Sequence, residues 1–426
     1  MMLILQIVLL YAFFASLIFF IIRRKIIRLT APQVFLAFGF QVLLGCIHGY
    51  IFSRYYPADD TMLFNQLAAE QHEKLVNNPR EFFSEISLTA SFNRNDTFAN
   101  GWHYLLDELQ KWLVVKPLAV FNFISRGNYY LNLVFFNFIV FWGPYLVFKL
   151  FTSIRPQKKL LFFVGSFFIP SIVFWISSIR SDGLILFSLA VLLYYFNAMR
   201  IKNRATYLFC AIIGMIGLLI LRDELLLLIL PALLAWWITS RFQLKAWKVF
   251  SLVYAITVIL FVVTGASSIV SNRQHEFLEL KGTAFPLNSL EPTVSSFLSI
   301  FPQAAANGFL KPFPWEAKGI LQFAMVADII FFFMMASFAT AYRKNLPQHP
   351  LIWTGILFGL STILLIGYTV PFPGAIVRYK VVPELILYMI FICAIKLKFN
   401  YIFSFFPEIH TPPPQPELKF SRIDRK

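Results

Sequence analysis

The sequence predicts an all-α fold, a polytopic bundle of membrane-spanning helices, from its composition and from the repeated length of its apolar stretches. Hydrophobic residues make up 58% of the 426 residues and charged residues only 14%, proportions that suit a chain surrounded largely by lipid. Apolar stretches of about 20 residues, the length that crosses a hydrocarbon core of about 30 Å, recur along the chain. We therefore expect a transmembrane domain over 1–398, followed by a proline-rich cytoplasmic tail over 399–426.

The apolar stretches predict about eleven membrane spans. Short polar connections separate most of them, and two long polar segments, 54–127 and 266–318, interrupt the series. The first span lacks a preceding basic segment and is followed by Arg23, Arg24 and Lys25, which favours a retained helix over a cleaved signal peptide. The predicted spans are 3–22, 32–52, 128–151, 160–178, 183–199, 205–221, 224–240, 249–266, 320–341, 351–370 and 381–397.

The net charge of +16 is concentrated on one side of the predicted bundle. Alternate short connections carry Lys and Arg but no Asp or Glu. Because short cationic loops stay in the cytoplasm, we expect an integral, multi-pass protein of a bacterial plasma membrane, with its amino terminus outside and its carboxyl terminus inside. Its partner is then the lipid bilayer, and nucleic acid is not expected. The basic connections hold Arg23, Arg24, Lys25, Arg28, Lys149, Arg155, Lys158, Lys159, Arg200, Lys202, Arg204, Arg241, Lys245, Lys248, Arg343, Lys344, Lys396 and Lys398.

The two long outer segments are expected to be ordered. In 54–127, apolar side chains recur at helical spacing over 61–76 and again over 102–118, which predicts two amphipathic helices lying in the headgroup plane. The second segment, 266–318, is rich in proline and aromatic residues and ends at Glu316, which we include among candidate substrate-binding residues.

Ionisable residues gather at the predicted outer ends of the spans. Charged groups at a membrane are costly to desolvate and are therefore paired or functional, and we expect these to converge around one outer cavity. Two simpler interpretations stay open: each turn pairs its own charges, or an aspartate merely caps the helix that follows it. The candidates are Asp59 and Asp60 in the first outer loop, Arg180 and Asp182 in one turn, Arg222, Asp223 and Glu224 in another, and Arg378 and Lys380 before the last span.

The order of these features resembles the GT-C type of polytopic glycosyltransferase over roughly the whole chain. An acidic residue follows an early span, amphipathic helices occupy the first outer loop, and a late Arg378-Tyr379-Lys380 precedes the last span. In that family the acidic loop usually follows the first helix, whereas here it follows the second. The resemblance implies a polyprenyl-phosphate-linked sugar donor used at the extracytoplasmic face, with Asp59 or Asp60 as catalytic base or metal-associated carboxylate, and Arg378 with Lys380 at the lipid phosphate.

Residue chemistry is compatible with that reaction. Sugar transfer to a hydroxyl needs a carboxylate to accept a proton and cations to neutralise the departing phosphate. Arginine holds phosphate through two parallel hydrogen bonds, so Arg378 is preferred to Lys380, with Arg180 and Arg222 as further candidates. Asp59 and Asp60 together are also candidate ligands for a divalent cation, Mg²⁺ or Mn²⁺.

Three functions remain as alternatives. A membrane glycosyltransferase of cell-envelope polysaccharide biosynthesis would require the acidic pair. A polysaccharide polymerase or ligase, of the O-antigen type, would depend on Arg180, Arg222 or Arg378 and be indifferent to the acids. A flippase for lipid-linked saccharides would show polar residues near the bilayer midplane and internal repeats, of which the sequence offers mainly Asp328.

Overall fold

A computed structural model of the chain describes residues 2–25, 27–56, 60–85, 98–202, 204–280 and 284–395. Over these residues all regular structure is helical. Asp59, Lys396, Lys398 and the tail 399–426 lie outside the described residues. The helices are α1 Met2–Ile22, α2 Ala31–Tyr55, α3 Asp60–Asn77, α4 Pro79–Ser84, α5 Phe98–Ser125, α6 Tyr129–Val140, α7 Trp142–Ile154, α8 Lys159–Phe167, α9 Pro170–Ile176, α10 Ser181–Lys202, α11 Ala205–Leu221, α12 Asp223–Phe242, α13 Ala246–Val263, α14 Ser267–Glu279, α15 Val294–Leu310, α16 Ile320–Ala341, α17 Pro350–Thr369 and α18 Pro373–Ala394.

The fold is that of a helical, multi-pass membrane protein. Within the described ranges, eight helical segments are long and apolar enough to cross a bilayer: α1, α2, α6 with α7, α10, α12, α13, α16 and α17. The segment 156–176 makes up to nine, because its two helices, bent by 55° at a short break, pass the same test together. Each of these coincides with a stretch that the sequence predicts to span.

Two further predicted spans fall on helices of different character. Helix α11 has 17 residues and is about 26 Å long, slightly short of a hydrocarbon core of about 30 Å. Helix α18 has 22 residues but carries Arg378, Lys380 and Glu384, too many charges for an apolar span. Most of its residues are nevertheless buried, since it packs against α8, α9, α10, α16 and α17 in the centre of the bundle. Its charges therefore face protein instead of lipid.

Over the described residues, basic connections of the sequence meet at one end of the bundle, which we call the basic end. The hydroxyl of Tyr145 donates a hydrogen bond to the carbonyl of Ile27 at 3.0 Å, and the ammonium of Lys158 donates one to the carbonyl of Cys393 at 2.9 Å. Asn345 lies there as well, because its amide donates to the carbonyl of Ala394 at 3.3 Å. The other end, from which the long segments 54–127 and 266–318 extend, is called the loop end.

Helices of the long segments pack onto the bundle and onto one another. In the first segment α3 lies against α5, where the amide of Asn122 donates to the carbonyl of Ala68 at 3.0 Å. Both helices extend beyond the predicted 61–76 and 102–118. In the second segment α15 packs on α17 at Gly308 and Gly367, where an added methyl group would overlap a carbonyl oxygen of the facing helix. Glycine thus permits this close approach of two backbones.

Candidate functional site

Four charged side chains from three separate parts of the chain meet at the loop end. We call Asp60, Arg180, Asp182 and Arg378 the loop-end cluster. Oδ2 of Asp60 is 2.8 Å from Nη2 of Arg180 and 3.8 Å from Nη1 of Arg378. Oδ2 of Asp182 is 3.8 Å from Nε of Arg180 and 3.7 Å from Nε of Arg378. Each guanidinium therefore turns its Nε edge toward Asp182 and its outer nitrogens toward Asp60.

The two carboxylates lie at different depths. The side chain of Asp182 is 5% exposed, whereas that of Asp60 is 56% exposed. Between them, the side chains of Arg180 and Arg378 are 4% and 18% exposed. Asp182 thus forms the floor of the loop-end cluster and Asp60 its solvent-facing mouth, so a ligand arriving from the loop end meets Asp60 first.

A tight turn between α9 and α10 fixes Arg180 and Asp182. The amide of Arg180 donates to the carbonyl of Ser178 at 2.8 Å, and α10 begins at the next residue, Ser181. Gly183 lies so close to the carbonyl of Ile176 that a methyl group would not fit there. This glycine lets the end of α9 touch the start of α10, which places both charged side chains at one apex.

The start of α3 explains why Asp60 is available for the cluster. Helix α3 begins at Asp60, so this residue occupies its first turn. The described carboxylate oxygen of Asp60 bonds Arg180, a residue 120 positions away. A role in capping α3 therefore does not by itself explain the contact of Asp60 with Arg180. Asp59 lies outside the described residues.

Arg222 approaches the cluster through an aromatic ring. It is the single residue that links α11 to α12, and its guanidinium carbon lies 3.9 Å from the centre of the Tyr379 ring. The guanidinium carbon of Arg378 lies 4.7 Å from the same centre, and Nη2 of Arg378 donates to the Tyr379 hydroxyl at 3.2 Å. We call Arg222, Tyr379 and Arg378 the arginine–tyrosine stack; cation–π contacts of this kind stabilise both arginines.

Arg222 keeps its positive charge in this position. Burial by itself lowers the pKa of Arg222, but Tyr379 and the nearby carboxylates of Glu224 and Asp182 outweigh that effect and raise the pKa above its usual value. Because Arg378 belongs to both groups, the arginine–tyrosine stack adjoins the loop-end cluster.

A fourth arginine extends the charged surface. Nη2 of Arg273, in α14, lies 3.5 Å from Oε1 of Glu224, and Nη1 lies 2.9 Å from Glu276. Helix α14 is held in place by the buried amide of Gln274, which donates to the carbonyl of Tyr368 at 2.8 Å and accepts from the amide of Leu290 at 2.7 Å. The second long segment thereby contributes to the same charged surface as the short turns.

Lys380 faces a different part of the bundle from Arg378. Residues two apart on a helix point in nearly opposite directions, and Lys380 forms a buried ion pair of 3.6 Å with Glu384. The turn-local pairing considered for Lys380 is therefore present, and its role beside Arg378 remains a sequence prediction without a contact to support it. Asp328 is on the facing helix α16, where it accepts hydrogen bonds from Ser171 at 2.6 Å and Tyr388 at 3.5 Å.

Two other candidates have local partners. Oε1 of Glu316 lies 2.5 Å from Nζ of Lys311, and Oε2 accepts from the amide of Phe313 at 3.1 Å, so Glu316 organises its own loop. Oδ1 of Asp223 accepts from the amide of Glu224 at 3.0 Å at the start of α12. Glu224 lies 3.5 Å from Arg273 and is also close enough to Arg222 to attract it, so the predicted interaction with Arg222 is accompanied by one with Arg273.

The described residues fit a divalent cation poorly. Asp60 already faces two guanidiniums, and a cation placed there would meet their repulsion. Among the described residues, no three His, Cys, Asp or Glu side chains are grouped so as to hold a metal ion. The expectation of a metal at Asp59 and Asp60 therefore depends on Asp59, which lies outside the described ranges.

Tyr379 and Arg273 were missed as site residues by the sequence reasoning. Tyr379 stands between Arg378 and Lys380, and an aromatic residue flanked by cations is a signal for a cation–π contact. Arg273 gives no comparable signal, because its position depends on how α14 docks through Gln274.

The loop-end cluster can bind an anion and accept a proton. Its guanidiniums can donate to phosphate oxygens, and its exposed carboxylate can take a proton from a hydroxyl. Comparisons with protein-family models, with curated proteins and with solved structures find no match to this chain.

Proposed function

We propose that the protein is a membrane glycosyltransferase of the GT-C kind, which moves a sugar from a polyprenyl-phosphate-linked donor to an acceptor hydroxyl in cell-envelope glycan assembly. The observation that carries the proposal is the loop-end cluster itself. An exposed carboxylate and two largely buried guanidiniums, from three distant segments, lie at one end of an apolar bundle. Lipid phosphate, sugar and acceptor would meet where the bilayer borders water.

The membrane arrangement that accompanies this proposal has eleven spans. They comprise the eight long apolar helical segments, the bent pair α8 and α9, the short helix α11 and the buried helix α18. Helices α3 and α5 lie at the bilayer surface, and the loop end faces outward with the amino terminus. This orientation places the loop-end cluster on the extracytoplasmic side of a bacterial plasma membrane.

The reaction assigns a separate role to each side chain. A bond forms between the acceptor oxygen and the anomeric carbon as the bond from that carbon to the phosphate oxygen breaks. Asp60 accepts the acceptor's proton, and the phosphate leaves with the bonding electron pair. Arg180 and Arg378 neutralise the charge that develops on it, and Arg222 supports Arg378 through Tyr379. Asp182 orients both guanidiniums from below.

Replacing Asp60 with asparagine tests this function. We expect Asp60→Asn to reduce sugar transfer by about 10²- to 10⁴-fold, the usual contribution of a general base, while the protein still inserts in the membrane. Complementation of a gene deletion, with lipid-linked glycans measured in the cells, provides the readout. Asp59→Asn is measured in parallel, because the two acids are adjacent.

Glu276→Gln is the matched control for Asp60→Asn. Glu276 is similarly exposed, at 61%, and is paired with an arginine at 2.9 Å, but that arginine is Arg273. We expect Glu276→Gln to complement the deletion fully. Wild-type glycan levels in both Asp59→Asn and Asp60→Asn would exclude a transferase that uses this base.

A polysaccharide polymerase or ligase is the second candidate, and the arginine–tyrosine stack favours it. Arg222 and Arg378 both lie against Tyr379, so several guanidiniums are available for a more highly charged lipid diphosphate. This function predicts that Arg222→Gln abolishes glycan processing while Asp60→Asn retains it. Loss of glycan processing with Asp60→Asn, whatever the effect of Arg222→Gln, supports the transferase.

A further inference from the structure

One oxygen of Asp60 occupies the position in the loop-end cluster where an anionic ligand would bind. Oδ2 lies within 4 Å of an outer guanidinium nitrogen of both Arg180 and Arg378, whereas Asp182 faces the Nε atom of each. Those outer nitrogens are the ones that a phosphate oxygen arriving from the loop end would reach. Ligand and Asp60 would therefore compete for the same two guanidiniums.

The exposures indicate which carboxylate can leave. Asp182 is 5% exposed and would remain as a buried counter-ion for both arginines, whereas Asp60 is 56% exposed and opens a helix at the surface. Because Asp60 itself is half exposed, water can solvate its carboxylate once it leaves the arginines, so exchange of Asp60 for another anion is readily reversible.

We propose that Asp60 is a displaceable plug: in the resting protein it occupies the anion site between Arg180 and Arg378, and the phosphate group of the substrate replaces it. The proposal rests on the proposed function, because it identifies the phosphate subsite and couples its occupation to the base. Displacement frees Oδ2 of Asp60 from the arginines, so this oxygen becomes available to an acceptor hydroxyl only when a phosphate is bound.

Charge balance is consistent with this exchange. Among the described residues of the loop-end cluster, two guanidiniums face two carboxylates. A donor phosphate joined to both a sugar and a lipid carries one negative charge, so it replaces the charge of Asp60 without leaving the arginines uncompensated. Ligand binding therefore does not require burial of an unpaired charge.

The test is a direct measurement of phosphate binding by the purified full-length chain in detergent micelles. Farnesyl phosphate, which bears a short prenyl chain, is titrated calorimetrically into the wild type, Asp60→Asn, Asp60→Glu and Glu276→Gln. Inorganic phosphate is titrated in a second arm, which separates recognition of a lipid phosphate from recognition of any phosphate. We expect Asp60→Asn to lower the dissociation constant for farnesyl phosphate about tenfold, because the competing carboxylate is gone.

The two comparison variants separate competition from a general charge effect. Asp60→Glu retains a competing carboxylate and is expected to bind within about twofold of the wild type. Glu276→Gln removes an equally exposed charge elsewhere on the loop end, and its affinity is expected to be unchanged. A tighter affinity of Asp60→Asn for inorganic phosphate as well would show that the subsite needs no lipid chain, which supports the plug.

Two results would overturn the displacement. One is an affinity of Asp60→Asn that equals or falls below that of the wild type in both arms. The other is an equal gain in Glu276→Gln, since that would reflect net charge alone. These outcomes are separable from the proposed function. An inactive Asp60→Asn that binds with unchanged affinity would support Asp60 as the base and exclude the plug. An Asp60→Asn that binds more tightly but keeps full transfer activity would support the plug and exclude Asp60 as the base.

Discussion

Asp60 and Asp182 contact the same two arginines but differ in the consequence of losing their charge. Asp182 is buried beneath Arg180 and Arg378, so Asp182→Asn leaves two poorly solvated guanidiniums without their inner counter-ion. Breaking a buried pair costs about 3 to 5 kcal/mol. Asp60 is half exposed, and we expect Asp60→Asn to change the free energy of unfolding by less than about 1 kcal/mol.

Thermal unfolding of the purified variants in detergent, followed by tryptophan fluorescence, measures this difference. We expect a clear fall in Tm for Asp182→Asn and a small change for Asp60→Asn. Equal losses of Tm in the two variants would show that Asp60 is as much a structural residue as Asp182, and the division between floor and mouth would be wrong.

At the level of residues, the sequence predicted which charged residues gather at one end of the bundle better than it predicted their partners. Asp60, Arg180, Asp182 and Arg378 were all candidates, and the structure brings them into contact. Lys380 was grouped with Arg378 because the two are close in sequence, but the helical rotation between them directs Lys380 to Glu384. Proximity along a helix therefore predicts depth in the membrane but not direction.

The junction of α9 and α10 determines the geometry of the loop-end cluster at the level of elements. In Gly183→Ala the new methyl group meets the carbonyl of Ile176 and the side chain of Val140, so the backbone must shift. Overpacking of this kind costs about 1 to 3 kcal/mol. Because Asp182 and Arg180 lie within three residues, we expect Gly183→Ala to lower both Tm and glycan processing in the complementation assay.

Gly319→Ala provides the control for this substitution. Gly319 precedes α16, and an added methyl group there meets no atom within 4 Å, so we expect Tm and glycan processing to match the wild type. An unchanged Tm in Gly183→Ala would show that the junction accommodates a side chain and does not fix the cluster.

We expect the start of α17 to make the basic end sensitive to acid. His349 caps this helix, and its Nδ1 accepts a hydrogen bond from the amide of Leu351 at 3.2 Å. Burial, with the nearby charge of Arg200, lowers the pKa of His349 from 6.5 to about 4. His349 therefore binds a proton below pH 6.5 in the unfolded chain but only below about pH 4 in the folded protein. Stability contributed by the neutral ring is complete above pH 6.5 and is lost as the pH falls toward 4.

Replacement of His349 by asparagine isolates this contribution. Asparagine is a good helix cap without a titrating ring, so His349→Asn is expected to keep α17 intact. The wild type is expected to lose about 3 kcal/mol of its free energy of unfolding between pH 6.5 and 4, and the variant should lack this loss. Tm is measured across this range for both proteins. Parallel Tm profiles would show that other groups cause the acid sensitivity of the wild type.

The helices were largely predictable as elements, because an apolar stretch of about 20 residues has few alternatives in lipid. Helix α18 shows where this reasoning weakens. Its charged residues make α18 more polar than the apolar spans. Other helices surround it, so its charges contact protein, and this packing allows α18 to lie in the centre of the bundle. The docking of α14 and α15 likewise depends on particular contacts, at Gln274 and at Gly308, that no periodicity reveals.

The whole molecule is polarised between a basic end and a loop end, and the proposed chemistry depends on which end faces outward. Short connections rich in Lys and Arg remain in the cytoplasm, so the loop-end cluster is expected on the extracytoplasmic side. Ser295 is exposed at the loop end, and Lys245 is exposed in the connection between α12 and α13 at the basic end. Single cysteines at these positions therefore report opposite sides of the membrane.

A membrane-impermeant maleimide applied to intact cells tests this orientation. We expect Ser295→Cys to be labelled in intact cells and Lys245→Cys only after the membrane is permeabilised. The wild type sets the background, which is expected to be low because Cys393 is buried and Cys46 and Cys210 are partly buried in helices. Labelling of Lys245→Cys alone in intact cells would place the loop-end cluster in the cytoplasm. A transferase drawing on an extracytoplasmic lipid-linked sugar would then be excluded, whatever the effect of Asp60→Asn on glycan processing.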